Sequence, residues 1–89
     1  MTTLSEALAQ ALDYFATVTP LSEGDELIIP DDCVIERSSG WILYASSKLY
    51  SLTHSDDYAV TGVGPVFVER LTGRLEQLTL TRSPDEQIP

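Results

Sequence analysis

The sequence predicts an α+β domain: one N-terminal helix packed on one face of an antiparallel sheet of about four strands, in the order α-β-β-β-β. Three observations predict it. Up to Phe15, apolar residues recur at helical spacing. Beyond Leu27 they come instead in short runs rich in β-branched and aromatic side chains. Those runs are separated by Gly, Ser and Pro, the residues of tight turns.

The helix opens at Thr3, with Glu6 three residues on. The hydroxyl can accept from the Glu6 amide while the carboxylate reaches back, a capping box. Leu4, Leu8, Leu12 and Phe15, with Ala7 and Ala11, make one apolar stripe, and the β-branched Thr17-Val18-Thr19 before Pro20 predicts an end near Ala16. Residues 20–32 connect, with Leu27, Ile28 and Ile29 either a short strand or anchors that pin the loop to the core. A first strand begins at Cys33-Val34-Ile35, turns at Ser38-Ser39-Gly40, and returns as Trp41–Ala45. Residues 46–62 are polar but punctuated by Leu49, Tyr50, Leu52, Tyr58 and Val60, which predicts an ordered surface loop with room for a helical turn. Val66–Arg70 is a third strand and Leu75–Leu80 a fourth, joined by Leu71-Thr72-Gly73 with Gly73 at positive φ. Arg82–Pro89 forms a tail that frays or lies on the surface, leaving a core of about residues 3–81. The helix stripe covers one sheet face; the other is expected to be open to solvent or a partner.

At 89 residues the chain has room for one domain and one core, and little left for a deep cleft. Fourteen carboxylates against five basic residues give a net charge of −9, which repels phosphate backbones and anionic membranes but attracts and steers a basic protein. Cys33 is the only cysteine, so no intrachain disulfide forms. The first residues lack a basic n-region, no apolar run is long enough for a membrane span, and a reducing cytoplasm is the expected location.

No constellation of catalytic residues stands out. His54 is the single histidine, and with one cysteine it leaves too few soft ligands for zinc. Gly62-Val63-Gly64 precedes a strand and lacks the Lys-Ser/Thr pair of a phosphate loop. Asp31-Asp32 and Asp56-Asp57 do not have calcium-loop spacing. No cofactor, metal or small-molecule substrate is expected, and the chain reads as a binding protein and not an enzyme. Trp41 is expected in the core. The expected contacts are the acidic stretch Glu23, Asp25, Glu26, Asp31, Asp32 and Glu36, together with Tyr44, Tyr50, Asp56, Asp57 and Tyr58 from the open face and the 46–61 loop.

Gly40-Trp41-Ile42-Leu43-Tyr44, a polar insertion, and Gly62-Val63-Gly64-Pro65 through Thr72-Gly73-Arg74-Leu75 together resemble the YrhB-like, immunity protein 35 family. Its signature is a Gly-Trp strand, a variable segment and a GNGPxxVDxxTG hairpin. Val63 stands here where that hairpin has Asn, and Glu69 where it has Asp. The resemblance implies a small, cytoplasmic, non-catalytic bacterial protein that binds a cognate toxin domain and blocks it. The excess of carboxylates suits a basic, nuclease-type toxin surface. The alternative, which the family also suggests, is a chaperone-like or scaffold protein with several weak protein partners.

Overall fold

A computed structural model describes residues 1–60 and 62–89. Helix α1, Leu4–Val18, opens on the expected capping box: the Thr3 hydroxyl accepts from Glu6 N–H at 3.2 Å and Glu6 Oε1 accepts from Thr3 N–H at 3.1 Å. The helix runs two residues beyond the expected end at Ala16. Thr17 survives in it because its hydroxyl donates to Tyr14 O at 2.7 Å, and Thr19 N–H closes the last turn on Phe15 O. The centre of the buried stripe is Ala7, Ala11 and Phe15, all fully buried, while Leu4 at its start is 41% exposed. Two alanines at the contact let the helix lie close against the sheet.

The chain then makes β1 (Leu27–Ile28), a 3₁₀ turn (Asp31–Cys33), β2 (Val34–Arg37), β3 (Gly40–Leu43), β4 (Ser46–Ser47), α2 (Lys48–Thr53), a second 3₁₀ turn (Asp56–Tyr58), β5 (Val66–Glu69), β6 (Leu75–Gln77) and α3 (Pro84–Gln87). A four-stranded antiparallel sheet has the order β2-β3-β5-β6, and a separate two-stranded ribbon pairs β1 with β4. The α+β class therefore holds, but the sheet is not a clean four-strand meander. Between β3 and β5 the chain leaves the sheet to build β4, α2 and the 3₁₀ turn. Leu27 and Ile28 do both things open to them: they pair with Ser47 and Ser46, and Leu27 packs against the core with Ile29.

Other boundaries move for local reasons. Cys33 does not begin a strand, because Val34 N–H turns back to Asp31 O. Gly40 belongs to β3, paired with both Arg37 and Glu69. A Cβ on Gly40 would come within 2.9 Å of the Phe67 ring and would meet Val68 O, so this position has no room for a side chain. The fourth strand stops at Gln77; Leu78 turns in to be buried, and Leu80 is exposed. Gly73 has the expected positive φ of 73° and its N–H closes the turn on Glu69 O.

Both faces of the sheet are covered. Trp41, Leu43, Val66 and Val68 face α1 with Ala7, Ala11 and Phe15. Ile42, Phe67 and Leu78 form a second cluster on the opposite face, against which Ile35, Tyr44 and Ile88 pack. The face expected to be open is thus closed in part by the C-terminal segment, which lies on the surface. Arg37 grips Asp85 with two hydrogen bonds (2.8 and 3.1 Å), holding the Asp85 carboxyl below its ordinary pKa. Gln87 accepts from Thr79 N–H at 2.8 Å and donates to Thr79 O at 3.1 Å.

The register makes Gly40 a packing position. Gly40→Ala is expected to lower the unfolding free energy by about 1–3 kcal/mol through overpacking. Ser38→Ala, in the exposed turn beside it, is expected to change it by less than about 0.5 kcal/mol. Urea unfolding of the two variants checks the contrast.

Candidate partner-binding surface

A groove of about 350 Å³ runs between the start of α1 and strand β2. It is lined by Leu4, Leu8, Val34 and Trp41 and rimmed by Asp31 and Glu36. Four elements place the lining residues. The capping box starts α1 so that Leu4 and Leu8 overhang the sheet edge. Alternation along β2 puts Val34 and Glu36 on the α1 face and Ile35 on the other. The 3₁₀ turn carries Asp31 to the same rim.

Trp41, only 3% exposed, is core as expected, but its ring also contributes to the groove. Arg70 stacks on it with the guanidinium carbon 4.4 Å from the ring centroid, and donates to Glu36 Oε2 at 3.0 Å and Arg37 O at 2.9 Å.

The acidic stretch expected to act as one patch is divided. Asp31, Asp32 and Glu36 are exposed, and Asp31 and Glu36 rim the groove. Glu23 is exposed on the connection before β1. Glu26 pairs with Lys48 at 3.5 Å. Asp25 is structural: it accepts from the Ser47 hydroxyl, from Glu26 N–H at 2.7 Å and from Leu49 N–H at 3.0 Å. Ser47 is the fully buried N-cap of α2, accepting from Tyr50 N–H at 3.1 Å. Asp25 therefore ties the connection to β4 and to the first turn of α2.

The tyrosines separate as well. Tyr44 is half-buried against the second cluster, on the sheet face away from the groove. Tyr50 is half-buried on α2, its ring edge-on to His54 at 6.1 Å. Asp56 and Asp57 are exposed and Tyr58 half-buried on their 3₁₀ turn, which Ser55 caps. Thr61, the last residue of the 46–61 loop, lies outside the described residues.

The groove's apolar lining was not foreseen as a contact surface. Its sequence signal was Leu4, one helical turn ahead of the Ala7-Ala11-Phe15 stripe and thus at the margin of the sheet.

The remaining motifs have local explanations. His54 ends α2 in the left-handed conformation, φ 55°, its N–H donating to Tyr50 O at 2.7 Å. Gly64 lies where any side chain would meet Leu78 O, a packing role unrelated to phosphate. The Cys33 thiol is pushed up in pKa by burial and by the neighbouring Asp32 carboxylate, which makes it a poor nucleophile. Among the described residues no group of three or more His, Cys, Asp or Glu could hold a metal ion, and no helix is long and apolar enough to cross a membrane.

No family model, curated protein or solved structure matches the chain.

Asp25 makes the α2 junction sensitive to acid. Burial pushes its carboxyl up, but hydrogen bonds from Ser47 and from the Leu49, Glu26 and Lys48 amides outweigh that and hold it below the ordinary value of 3.8. A depressed folded-state pKa gives stability that is complete above the unfolded-state value and is lost as pH falls through the folded one. Asp25→Asn is therefore expected to flatten the decline of stability below about pH 4 without abolishing it, since Asp85 contributes in the same sense. Denaturant midpoints of both proteins across that range check the difference.

Proposed function

We propose that the chain is a bacterial immunity protein that binds a cognate toxin domain and neutralises it without catalysis, from a cytoplasmic location. The observation that carries this reading is the acid-rimmed apolar groove on a chain of net charge −9. An apolar floor supplies affinity through burial, and a carboxylate rim steers and orients a basic partner. A basic nuclease-type domain has the matching charge: its substrate-binding cations would face Asp31, Asp32 and Glu36.

The hairpin residues that carry the family resemblance support this division of labour. Gly64, the buried Pro65 and Gly73 act in packing and turns. That leaves specificity to the groove rim and to the exposed acids of the 46–61 loop. Of the large exposed apolar side chains, Leu52 is on α2, Leu71 in the β5–β6 turn and Leu80 after β6, while Met1 and Leu71 line one pocket.

Growth rescue tests the reading. Co-expressed with a neighbouring gene product that arrests growth by itself, the chain is expected to restore growth. The double variant Asp31→Lys, Asp32→Lys juxtaposes like charges and is expected to weaken toxin binding roughly tenfold or more while leaving the circular dichroism unchanged. No rescue by the wild-type chain overturns the immunity reading. Full rescue by a folded double variant overturns the placement of the contact at the groove rim.

A further inference from the structure

The groove beside α1 can be read further, because its geometry restricts the kind of element that fits it. Strand β2 is an edge of the four-stranded sheet. The two-residue turn Ser38-Ser39 pairs Arg37 with Gly40 and, two residues on, Ile35 with Ile42. In an antiparallel pair closed in this way, those residues spend their backbone groups on β3, while Val34 and Glu36 direct theirs outward. Such an edge usually invites a partner strand. Here it is engaged within the chain: Val34 N–H donates to Asp31 O, and Glu36 O accepts from Arg37 Nη1 at 3.0 Å. A strand that pairs opposite Val34 would have to break the Val34 N–H bond, and one opposite Glu36 would have to compete with Arg37 for the Glu36 carbonyl. Strand addition is thereby hindered at two of the four outward backbone groups, and the side chains at this edge offer the larger contact surface.

The side chains present specify the complement. Leu4, Leu8, Val34 and Trp41 form an apolar trough beside α1, and Leu4 is 41% exposed within it. Asp31 and Glu36 stand over the trough. Glu36 is met by Arg70, whereas no salt bridge among the described residues engages Asp31. An element that fits must bring an apolar ridge for the trough and cations for the rim, and must satisfy its own backbone. A helix does all three.

We infer that the groove takes a cationic amphipathic helix of the partner protein, its apolar ridge on Leu4, Leu8, Val34 and Trp41 and its lysine or arginine side chains against Asp31 and Glu36. This inference rests on the proposed role of the groove as the partner-binding surface and adds the chemistry of what binds. Arg70 acts as a selectivity device in it. By occupying one face of Trp41 and one oxygen of Glu36, it leaves Asp31 as the free anchor for a partner cation.

Trp41 is the single tryptophan and lines the groove, so its emission reports occupancy directly. The probe is a synthetic lysine/leucine amphipathic peptide of about 18 residues, long enough to form a helix. A second peptide of equal charge replaces every leucine by serine. The lysine/leucine peptide is expected to change Trp41 emission saturably, and the serine peptide to bind at least tenfold more weakly. Leu4→Ser and Asp31→Asn, both at exposed positions, are each expected to weaken the first peptide about tenfold with unfolding midpoints close to that of the parent. No saturable change, equal binding of the two peptides, or unaltered binding by folded Leu4→Ser overturns the inference. An inert groove alongside growth rescue by the wild-type chain defeats the helix inference alone and leaves the inhibitor reading standing. Peptide binding by the predicted residues without rescue does the reverse.

Discussion

The structure depends on the pairing of β3 with β5. In that register Trp41 opposes Val68 and Leu43 opposes Val66 on the helix face, while Ile42 opposes Phe67 on the other. All four residues of β3 and the first three of β5 are buried, so each strand contributes to two cores at once. Fully burying side chains of this size is worth roughly 1.5–3 kcal/mol each relative to leaving them exposed. In a domain this small, where net stability is only about 5–15 kcal/mol, a one-residue slip would send every one of these side chains to the wrong face. The absence of a side chain at Gly40 belongs to the same constraint, because the Phe67 ring and Val68 carbonyl use that space.

Two-sided burial also sets what the rest of the chain must do. Helix α1 covers one face and is tied at its middle by Gln10 donating to Gly73 O at 2.7 Å. The second face is covered in part by Ile88, and contacts at Asp85 and Gln87 in α3 hold the segment just before it. The excursion between β3 and β5 has no place in either layer. It is attached through β1 and through Asp25, whose carboxylate meets the buried Ser47 hydroxyl and the first turn of α2. An acid that composition alone counts as surface charge is thus the peg that holds an insertion.

Much of this was legible in the sequence, because the signals were local. Thr3 and Glu6 announce a capping box, Gly73 a turn at positive φ, and the Trp41 and Val66 runs two strands. What was not legible depends on contacts distant in the chain. The continuous apolar runs Trp41–Leu43 and Val66–Val68 lack the alternation of a half-open sheet, and that was the available sign that both faces are buried. Ile88 gave no comparable sign, since a lone isoleucine in a polar tail identifies no surface to cover. Asp25 and Asp31 look alike in sequence; only the fold makes one a structural anchor and leaves the other on a groove rim. For the candidate surface, composition identified the charge, while the apolar trough beside it required the fold to set the start of α1 beside β2.

That placement explains why acids and an exposed leucine coexist at this edge. An edge strand in a small domain needs protection against pairing with another chain, and carboxylates supply it. The protection at β2 is supplied twice, once by Asp31 and Glu36 and again by hydrogen bonds that engage Val34 N–H and Glu36 O. Protection alone would favour a polar residue at position 4, where the helix overhangs the edge. A leucine there, half out of the core beside Trp41, leaves apolar area uncovered where strand addition is hindered. The combination repels other strands and anionic surfaces while still offering burial to an element that brings its own backbone satisfied and its own positive charge. Specificity in so small a domain thus comes from what the edge refuses as much as from what it binds.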